Sequence, residues 1–545
     1  MNTPAVLRKS WPWLAAAGSG ALLALCFAPW NQPLLVWIAL LPLLAALWAA
    51  PAGAPKWRAP LLGYCSGIVF FTAAFSWLAN LAPLFESPGL AGLPLLLAVY
   101  LALYPAAWSW LVATPPAPGR TPGATSLRHI TFAIRGACAW VALDWIRGWL
   151  FSGFGWNSPG VALHNNLALI QIADLFGVHG VTFLIVFSTL SMALAVRRLK
   201  QEASFRALPN LRAEIMTVLL LVGLSVSYGV RIVVQKEPGP LFPLRAVAIQ
   251  PNVPQEQKFD ADQEDAVFQK LDGLMQLACA IQPPPHLILW PEAATPRGMF
   301  ADDANHDFTR SQAERSPAAL LLGTLEPVAP NPEQTNELLD FNSVVLIQGK
   351  DAPLQSYRKR HLVPFGEFLP FRDWLPNWVR NLVPGDLTPG REANLLHLER
   401  PAVRIGALVC FEDSLARETR SLALEGAQVL VNVTNDAWFA RSAAAEQHLA
   451  NSKFRAIETR LPLLRCANTG VTASVDRIGR VESKIAAFTE GIDTLEVKVQ
   501  EHPRITTYTR FGDLWLVACG IATLVLARTR LSPQRKAPET SKDAA

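Results

Sequence analysis

Arg404-Ile-Gly-Ala-Leu-Val-Cys410-Phe-Glu412 is the stretch whose reading decides the fold. It opens as a nearly continuous apolar run, the pattern of a strand buried on both faces, and closes on a thiol followed by a carboxylate. Two other runs close on chemistry in the same way. His286-Leu-Ile-Leu-Trp290-Pro-Glu292 ends in a carboxylate, and Tyr357-Arg-Lys359-Arg-His-Leu-Val-Pro-Phe-Gly-Glu367 sets Lys359 and Glu367 on either side of a Pro-Phe-Gly turn. Further β-rich runs fall at 245–250, 319–324, 343–348 and 428–433, with helical periodicity at 264–280 and 443–460. Apolar strands alternating with helices predict an α/β layered domain over 236–511, its sheet covered on both faces. Ligands of such sheets bind beyond the strand ends, where the thiol, the amine and the carboxylates lie.

Outward from this domain the composition changes. Of 545 residues 51% are hydrophobic and 17% charged, below the roughly 25% charged of soluble chains. Apolar stretches near 12–29, 33–50, 60–81, 89–112, 132–151, 168–195, 214–234 and 512–528 approach the roughly 20 residues that cross a bilayer. About eight spans are therefore expected: a membrane domain over 1–235, the α/β domain over 236–511, a last span at 512–530 and a disordered polar tail at 531–545. Arg8 and Lys9 precede the first stretch, which reads as a retained span because further spans follow it. Lys56, Arg58, Arg120, Arg128, Arg197, Arg198 and Lys200 occupy alternate connections, while those at 30–32, 82–88 and 152–167 hold no Lys or Arg. The positive-inside rule then puts both termini in the cytoplasm and 236–511 outside. Topology thus accounts for most of the net charge of +5, and no nucleic acid is called for. Asp144 and Arg147, three apart on one helix face, read as a neutralised pair. Seven scattered cysteines with no C-x-x-C exclude a disulfide framework and a zinc site, so no metal is expected.

A thiol attacks as its thiolate. Glu292 is the candidate base, its pKa raised by desolvation beside Trp290, and Lys359 the candidate cation for a tetrahedral oxyanion, with the Phe411 backbone N–H as a second donor. Glu367 can orient Lys359; Glu412 can assist Glu292 or position an amine. Taken singly, a Cys at a strand end is most often a small buried hydrophobe, and Cys466 in Arg465-Cys-Ala-Asn-Thr-Gly470 is a rival thiol read as structural. The ordered set within one α/β domain is what favours Cys410.

Glu, Lys and Cys in that order, each beside a short strand, resemble the nitrilase (carbon–nitrogen hydrolase) superfamily. Leu362-Val-Pro-Phe-Gly-Glu367, Cys410-Phe-Glu412, Asn435-Asp-Ala-Trp-Phe439, Arg455-Ala-Ile-Glu-Thr-Arg-Leu-Pro-Leu-Leu-Arg465 and, in the membrane half, Arg147-Gly-Trp-Leu-Phe-Ser-Gly-Phe-Gly-Trp156 are similar to its membrane-embedded bacterial branch, the apolipoprotein N-acyltransferases. The resemblance implies a four-layer αββα sandwich on a multi-pass helical domain in the bacterial inner membrane, with the catalytic side periplasmic. It implies an acyl chain passing from a phospholipid to the α-amino group of an S-diacylglyceryl-cysteine on a lipoprotein, with Glu292 as base, Lys359 as stabiliser, Cys410 as nucleophile, and Glu367, Glu412 and Phe411 in support. No cofactor is implied, and a monomer among membrane lipids is expected. Phe365, Trp438 and Phe439 are candidates for a lipid-facing wall. Phe259 stands where some relatives have Trp, and Phe411 where relatives often have Tyr.

Two other readings stay open on the residues alone. A membrane-tethered amidase can use the same three residues with water as acceptor, and a transporter or receptor can carry an outer domain that has lost catalysis.

Overall fold

The structure is a computed structural model. It describes residues 5–531 apart from 52, 203–211, 236–238, 259, 330–337, 351 and 382–384. Phe259 and the expected tail from 532 onward lie outside the described residues.

Twelve strands form two sheets among the described residues: β1 (Leu241–Gln250), β2 (Leu287–Leu289), β3 (Ala319–Val328), β4 (Leu339–Ile347), β5 (Gln355–Arg358), β6 (Leu396–Leu398), β7 (Val403–Val409), β8 (Val429–Thr434), β9 (Leu463–Ala467), β10 (Thr472–Val475), β11 (Val481–Ile485) and β12 (Gly491–Gln500). The orders are β12-β1-β2-β3-β4-β5 and β11-β10-β9-β8-β7-β6. Each sheet is parallel at its heart, β1-β2-β3 in one and β7-β8-β9 in the other, and antiparallel at its flanks. The pleat explains why the central strands lack a polar face. Along β1, Ala246 and Ala248 face the opposite sheet, while Val247 and Ile249 face the helices Glu264–Cys279 and Asp303–Glu314. Across the inter-sheet core Leu287, Leu289 and Val344 meet Ile405, Ala407, Val409 and Val431. Helices Ala416–Leu424 and Ala444–Thr459 cover the far side of the second sheet. The layers therefore run helix, sheet, sheet, helix. Full burial of one Val, Leu or Ile contributes about 1.5–3 kcal/mol, so this sandwich is the main reservoir of stability.

Each of the eight apolar stretches is helical at least in part. Among the described residues, three helices are long and apolar enough to cross a membrane: Pro88–Val112, Ala173–Gln201 and Ala213–Val234. The bent pair Arg58–Ala74 and Ser76–Leu84, turned by 52°, makes a fourth if counted as one span. By that measure the expected eight spans become three or four. The stretch at 33–50 divides into a 3-10 turn, Pro33–Trp37, and the short helix Leu41–Trp48. The helix Pro122–Arg147 carries Arg128, Arg135, Asp144 and Arg147. The Asp144–Arg147 pair closes at 2.6 Å. Its guanidinium also donates to the carbonyls of Phe154 (2.8 Å) and Trp156 (3.0 Å), so the pair folds the loop that follows.

Ala444–Thr459 is shared by both halves. Leu449 and Ala456 pack on the second sheet, while Ala450, Phe454 and Ile457 join the core of the helical half. Polar groups fix this junction. The Gln447 amide donates to the carbonyls of Ala28 (2.8 Å) and Ala74 (3.0 Å) and accepts from Trp77 Nε1 (3.1 Å) and Asn157 Nδ2 (3.0 Å). Lys453 Nζ donates to His164 O and Asn165 Oδ1, each at 2.9 Å. Arg460 reaches Asp174 at 2.8 Å.

Gln447→Leu would strand two carbonyls and two N–H groups in a dry seam. With each stranded group costing about 1–3 kcal/mol before relaxation, the expected net loss is on the order of 4 kcal/mol. Denaturant unfolding in detergent micelles is the check, with the two halves separating into distinct transitions.

Candidate active site

The chemistry-bearing strand ends of the two sheets lie at one edge of the sandwich. After β2 the chain turns sharply through Trp290-Pro291-Glu292, with Ala293 left-handed at φ +45. The turn is held by Ala294 N to Gly323 O at 3.0 Å and Gly323 N to Pro291 O at 3.2 Å. A Cβ on Gly323 would sit 2.6 Å from Glu292 Cα, so only glycine lets β3 run this close. Glu292 is buried and accepts from Asn342 Nδ2 at 2.8 Å. Asn342, on β4, also donates to Glu367 Oε1 at 2.8 Å and so bridges two carboxylates.

Lys359 follows β5 and is 1% exposed. Its Nζ lies 2.8 Å from Glu367 Oε1 and 2.7 Å from Oε2. The Pro-Phe-Gly turn delivers this partner: Glu367 N donates to Val363 O at 2.9 Å, and Val363 N donates to Glu367 Oε2 at 2.8 Å. Burial opposes the Lys359 charge, but Glu367, Glu292 and Cys410 together outweigh it and hold the amine above the ordinary lysine range. Burial raises Glu292 above the usual carboxylate range, with Lys359 pulling the other way.

Cys410 ends β7 in a left-handed conformation, φ +52, a strained setting for a residue with a Cβ. It stays partly exposed, yet the protein around its thiol raises the pKa well above the ordinary value; Glu292 adds to the rise and Lys359 opposes it. Cys410, Glu292 and Lys359 therefore lie within electrostatic reach of one another. Asn432 Nδ2 donates to Cys410 O at 3.3 Å and also to Asp413. Behind it Asp413, Asp436, His448 and Arg465 form a buried ionic cluster, with His448 Nε2 2.8 Å from Asp413 and Nδ1 2.9 Å from Asp436.

Glu412 is wholly buried and accepts from four donors: Tyr357 OH (3.0 Å), Arg360 N (2.7 Å), His361 N (3.0 Å) and Val409 N (2.9 Å). It laces the Lys359 segment to the Cys410 segment. Burial pushes its pKa up to about 7 despite Lys359 and the backbone donors. Phe411 lies against Phe154 (6.1 Å between ring centres), Trp156 (5.9 Å) and His361 (6.0 Å). Trp438 stacks on Phe85 at 6.2 Å, and Phe439 meets Trp77 edge-on at 4.5 Å. These three aromatics thus dock the site onto the helical half, whereas Phe365 is 61% exposed. Cys466 is fully buried in β9, its Sγ directed at the carbonyls of Ile249 (3.4 Å) and Leu289 (3.3 Å), and burial raises its thiol.

Residues 19–191 match the family model described as the apolipoprotein N-acyltransferase N-terminal domain, and residues 245–503 match carbon-nitrogen hydrolase. An apolipoprotein N-acyltransferase of Geobacter metallireducens is 33% identical over 523 residues, covering 94% of each chain. This chain belongs to the apolipoprotein N-acyltransferase family. A member from Methylococcus capsulatus is also 33% identical, covering 95% of this chain and 96% of that one. A carbon-nitrogen hydrolase structure from Helicobacter pylori is similar at 16% identity and a TM-score of 0.35, covering 54% of this chain and 96% of that chain.

Three site residues escape a reading of the sequence. Asn342 lies one position before the run read as a strand at 343–348, and its only signal is an amide beside an apolar stretch. Lys258, 3% exposed, donates to Glu292 O at 2.8 Å. His448 sits in a helix with no local motif to mark it.

Glu412→Gln would turn N–H donors toward a cluster of donors. Expected are a loss of about 2–4 kcal/mol and faster amide exchange at Arg360 and His361. Tyr357→Phe removes one donor and should cost about 1 kcal/mol by denaturant titration.

Proposed function

We propose that this chain moves an acyl chain from a membrane phospholipid, through a thioester on Cys410, to the α-amino group of an S-diacylglyceryl-cysteine at the N-terminus of a lipoprotein. The observation that carries the reading is the meeting of a strained cysteine, a desolvated carboxylate and a buried ammonium at an edge bolted to an apolar helical bundle. Membership of the family supports it. Residues 1–235 form the multi-pass anchor of about seven spans, with 236–511 catalytic and periplasmic and 512–530 the last, eighth span. Charge placement along the sequence supports this arrangement. Both termini are cytoplasmic and the chain works as a monomer.

The chemistry follows from proton affinities. Burial raises Glu292, which makes it a better acceptor for the thiol proton; the rise at Cys410 opposes the transfer, and the Lys359 charge offsets that rise by favouring the thiolate. The thiolate attacks the ester carbonyl, and the oxyanion is met by Lys359, held charged by Glu367, and by the Phe411 N–H. Collapse breaks the ester C–O bond, and the lysophospholipid leaves with the proton from Glu292. The lipoprotein's neutral amine then attacks the thioester and passes a proton to Glu292. The C–S bond breaks, and the Cys410 thiolate recovers that proton. Two lipid substrates favour a site beside the bilayer, since each CH₂ drawn into water costs about 0.8 kcal/mol.

Intact-protein mass spectrometry after incubation with phospholipid should find one acyl mass on Cys410, absent in Cys410→Ala and kept in Cys466→Ser. Glu292→Gln and Lys359→Ala should fold without forming it; acyl on Cys466, or thioester accumulating in either variant, sinks the roles given.

The rate of thioester formation should rise with pH as Glu292 loses its proton, in a range above that of an ordinary carboxylate. Glu367→Gln removes a like charge that raises Glu292 and the partner that fixes Lys359. Its rising limb should move to lower pH and its plateau should fall by about 10–100-fold, read from single-turnover rates across pH.

A further inference from the structure

The mechanism leaves unused a buried amine that touches the Glu292 turn. Lys258 is 3% exposed and closes the short helix Gln255–Lys258. Its Nζ donates at 2.8 Å to the backbone carbonyl of Glu292. That carbonyl belongs to the peptide leading into left-handed Ala293, so the ammonium holds the strained side of the turn that presents the carboxylate.

The segment bearing Lys258 is fastened to the other sheet. Asn468, just after β9, accepts from Val253 N at 3.0 Å and donates to Val253 O at 2.8 Å. Asn468 also donates to Asn435 Oδ1 at 3.0 Å, and Asn435, just after β8, donates to Gln255 Oε1 at 2.9 Å. Glu292 ends a strand of the first sheet, whereas Cys410 ends a strand of the second. Hydrogen bonds therefore tie the Cys410-bearing sheet through Asn468 and Asn435 to Gln255, the short helix Gln255–Lys258 carries the link on to Lys258, and its ammonium bonds to Glu292 O.

The charged groups that act on Lys258 are Glu292, on the β2 end, and Cys410, on the β7 end; Gln255, Asn435 and Asn468 beside its segment are neutral. Burial pushes the amine down to about 8, and Glu292 and Cys410 pull it back up. A nearby cation lowers the proton affinity of each group it faces, so Lys258 supports ionisation of the Cys410 thiol as well as of the Glu292 carboxyl.

We propose that Lys258 is a positioning residue for acyl transfer: its ammonium fastens the Glu292 peptide to the sheet that carries Cys410 and supplies, beside Lys359, a second positive charge toward the Cys410 thiolate. The role rests on the reading of Cys410 as the acylated nucleophile. Since Lys258 loses its own proton near pH 8, the benefit is full below that pH and fades above it.

The test uses the full-length protein in detergent micelles with Lys258→Met, Lys258→Gln and Lys258→Arg. Cys410 alkylation by iodoacetamide is followed from pH 6 to 10 in a Cys466→Ser background, beside kcat and KM for phospholipid. Lys258→Met and Lys258→Gln should slow alkylation about tenfold at pH 6–7, where Lys258 is charged, and little at pH 9–10, where the native amine is neutral. They should lower kcat about tenfold and leave KM unchanged; Lys258→Arg should keep the native alkylation rate at pH 6–7 and extend activity above pH 8. A native alkylation rate at pH 6–7 and a native kcat in Lys258→Met overturn the proposal, as does slowing in Lys258→Arg as large as in Lys258→Met. Alkylation needs no acyl transfer. A native chain that forms no thioester would therefore overturn the acyl-transfer reading, while the alkylation arm still decides whether Lys258 sets the thiol's proton affinity.

Discussion

The carboxylate of Glu412 is the constraint on which the site depends. It is buried between two sheets and takes hydrogen bonds from Tyr357 and from the backbone of Arg360, His361 and Val409. Lys359 lies inside the first group of donors and Cys410 directly after the last. Neither side chain could keep its place if the two sheets slid past one another. A single acceptor with four convergent donors resists such sliding better than apolar packing, because hydrogen bonds are directional and packing between flat sheets is not.

Around this joint the charges are arranged in balanced sets. Lys359 answers Glu367 and Glu292, Lys258 lies beside Glu292, and Arg465 with His448 answers Asp413 and Asp436. A buried charge without partners would change protonation state or unfold the site. Sharing leaves Glu292 raised and Lys359 charged, the combination that suits a base beside a fixed cation. Asn342 does for the two carboxylates what no cation of the site does alone, touching both with one amide nitrogen.

The sequence made the strand-end chemistry legible. Glu292, Lys359, Glu367 and Cys410 each follow an apolar run or a proline turn, and those local signals survive in the fold. The helix read at 264–280 is observed as Glu264–Cys279, and the strand read at 404–409 as Val403–Val409. The strand β6 and the strands from β9 onward were not legible. Along β12 buried and exposed residues alternate among Asp, Glu and Lys, as a flanking strand open to solvent on one face permits. Lys258 and Asn342 were not legible either, since their value arises only when distant segments are brought alongside. Glu412 was noticed, but its partners are mostly backbone N–H groups, which leave no trace in side-chain identity. Three or four helices among the described residues are long and apolar enough to span, fewer than the apolar stretches, because composition says nothing of where a helix breaks, as at 33–50.

The helix Ala444–Thr459 belongs to two cores at once, with apolar residues in each and Gln447, Lys453 and Glu458 bonded across the seam. Such a mount gives the catalytic edge a fixed height and tilt above the bundle. On the proposed reading, lipid substrates would then be met by lateral drift in the plane of the bilayer, in one orientation, so that encounter would become a two-dimensional search. Turnover would be tied to how fast lipids exchange around the bundle, and the fluidity of the surrounding bilayer would become a parameter of the reaction.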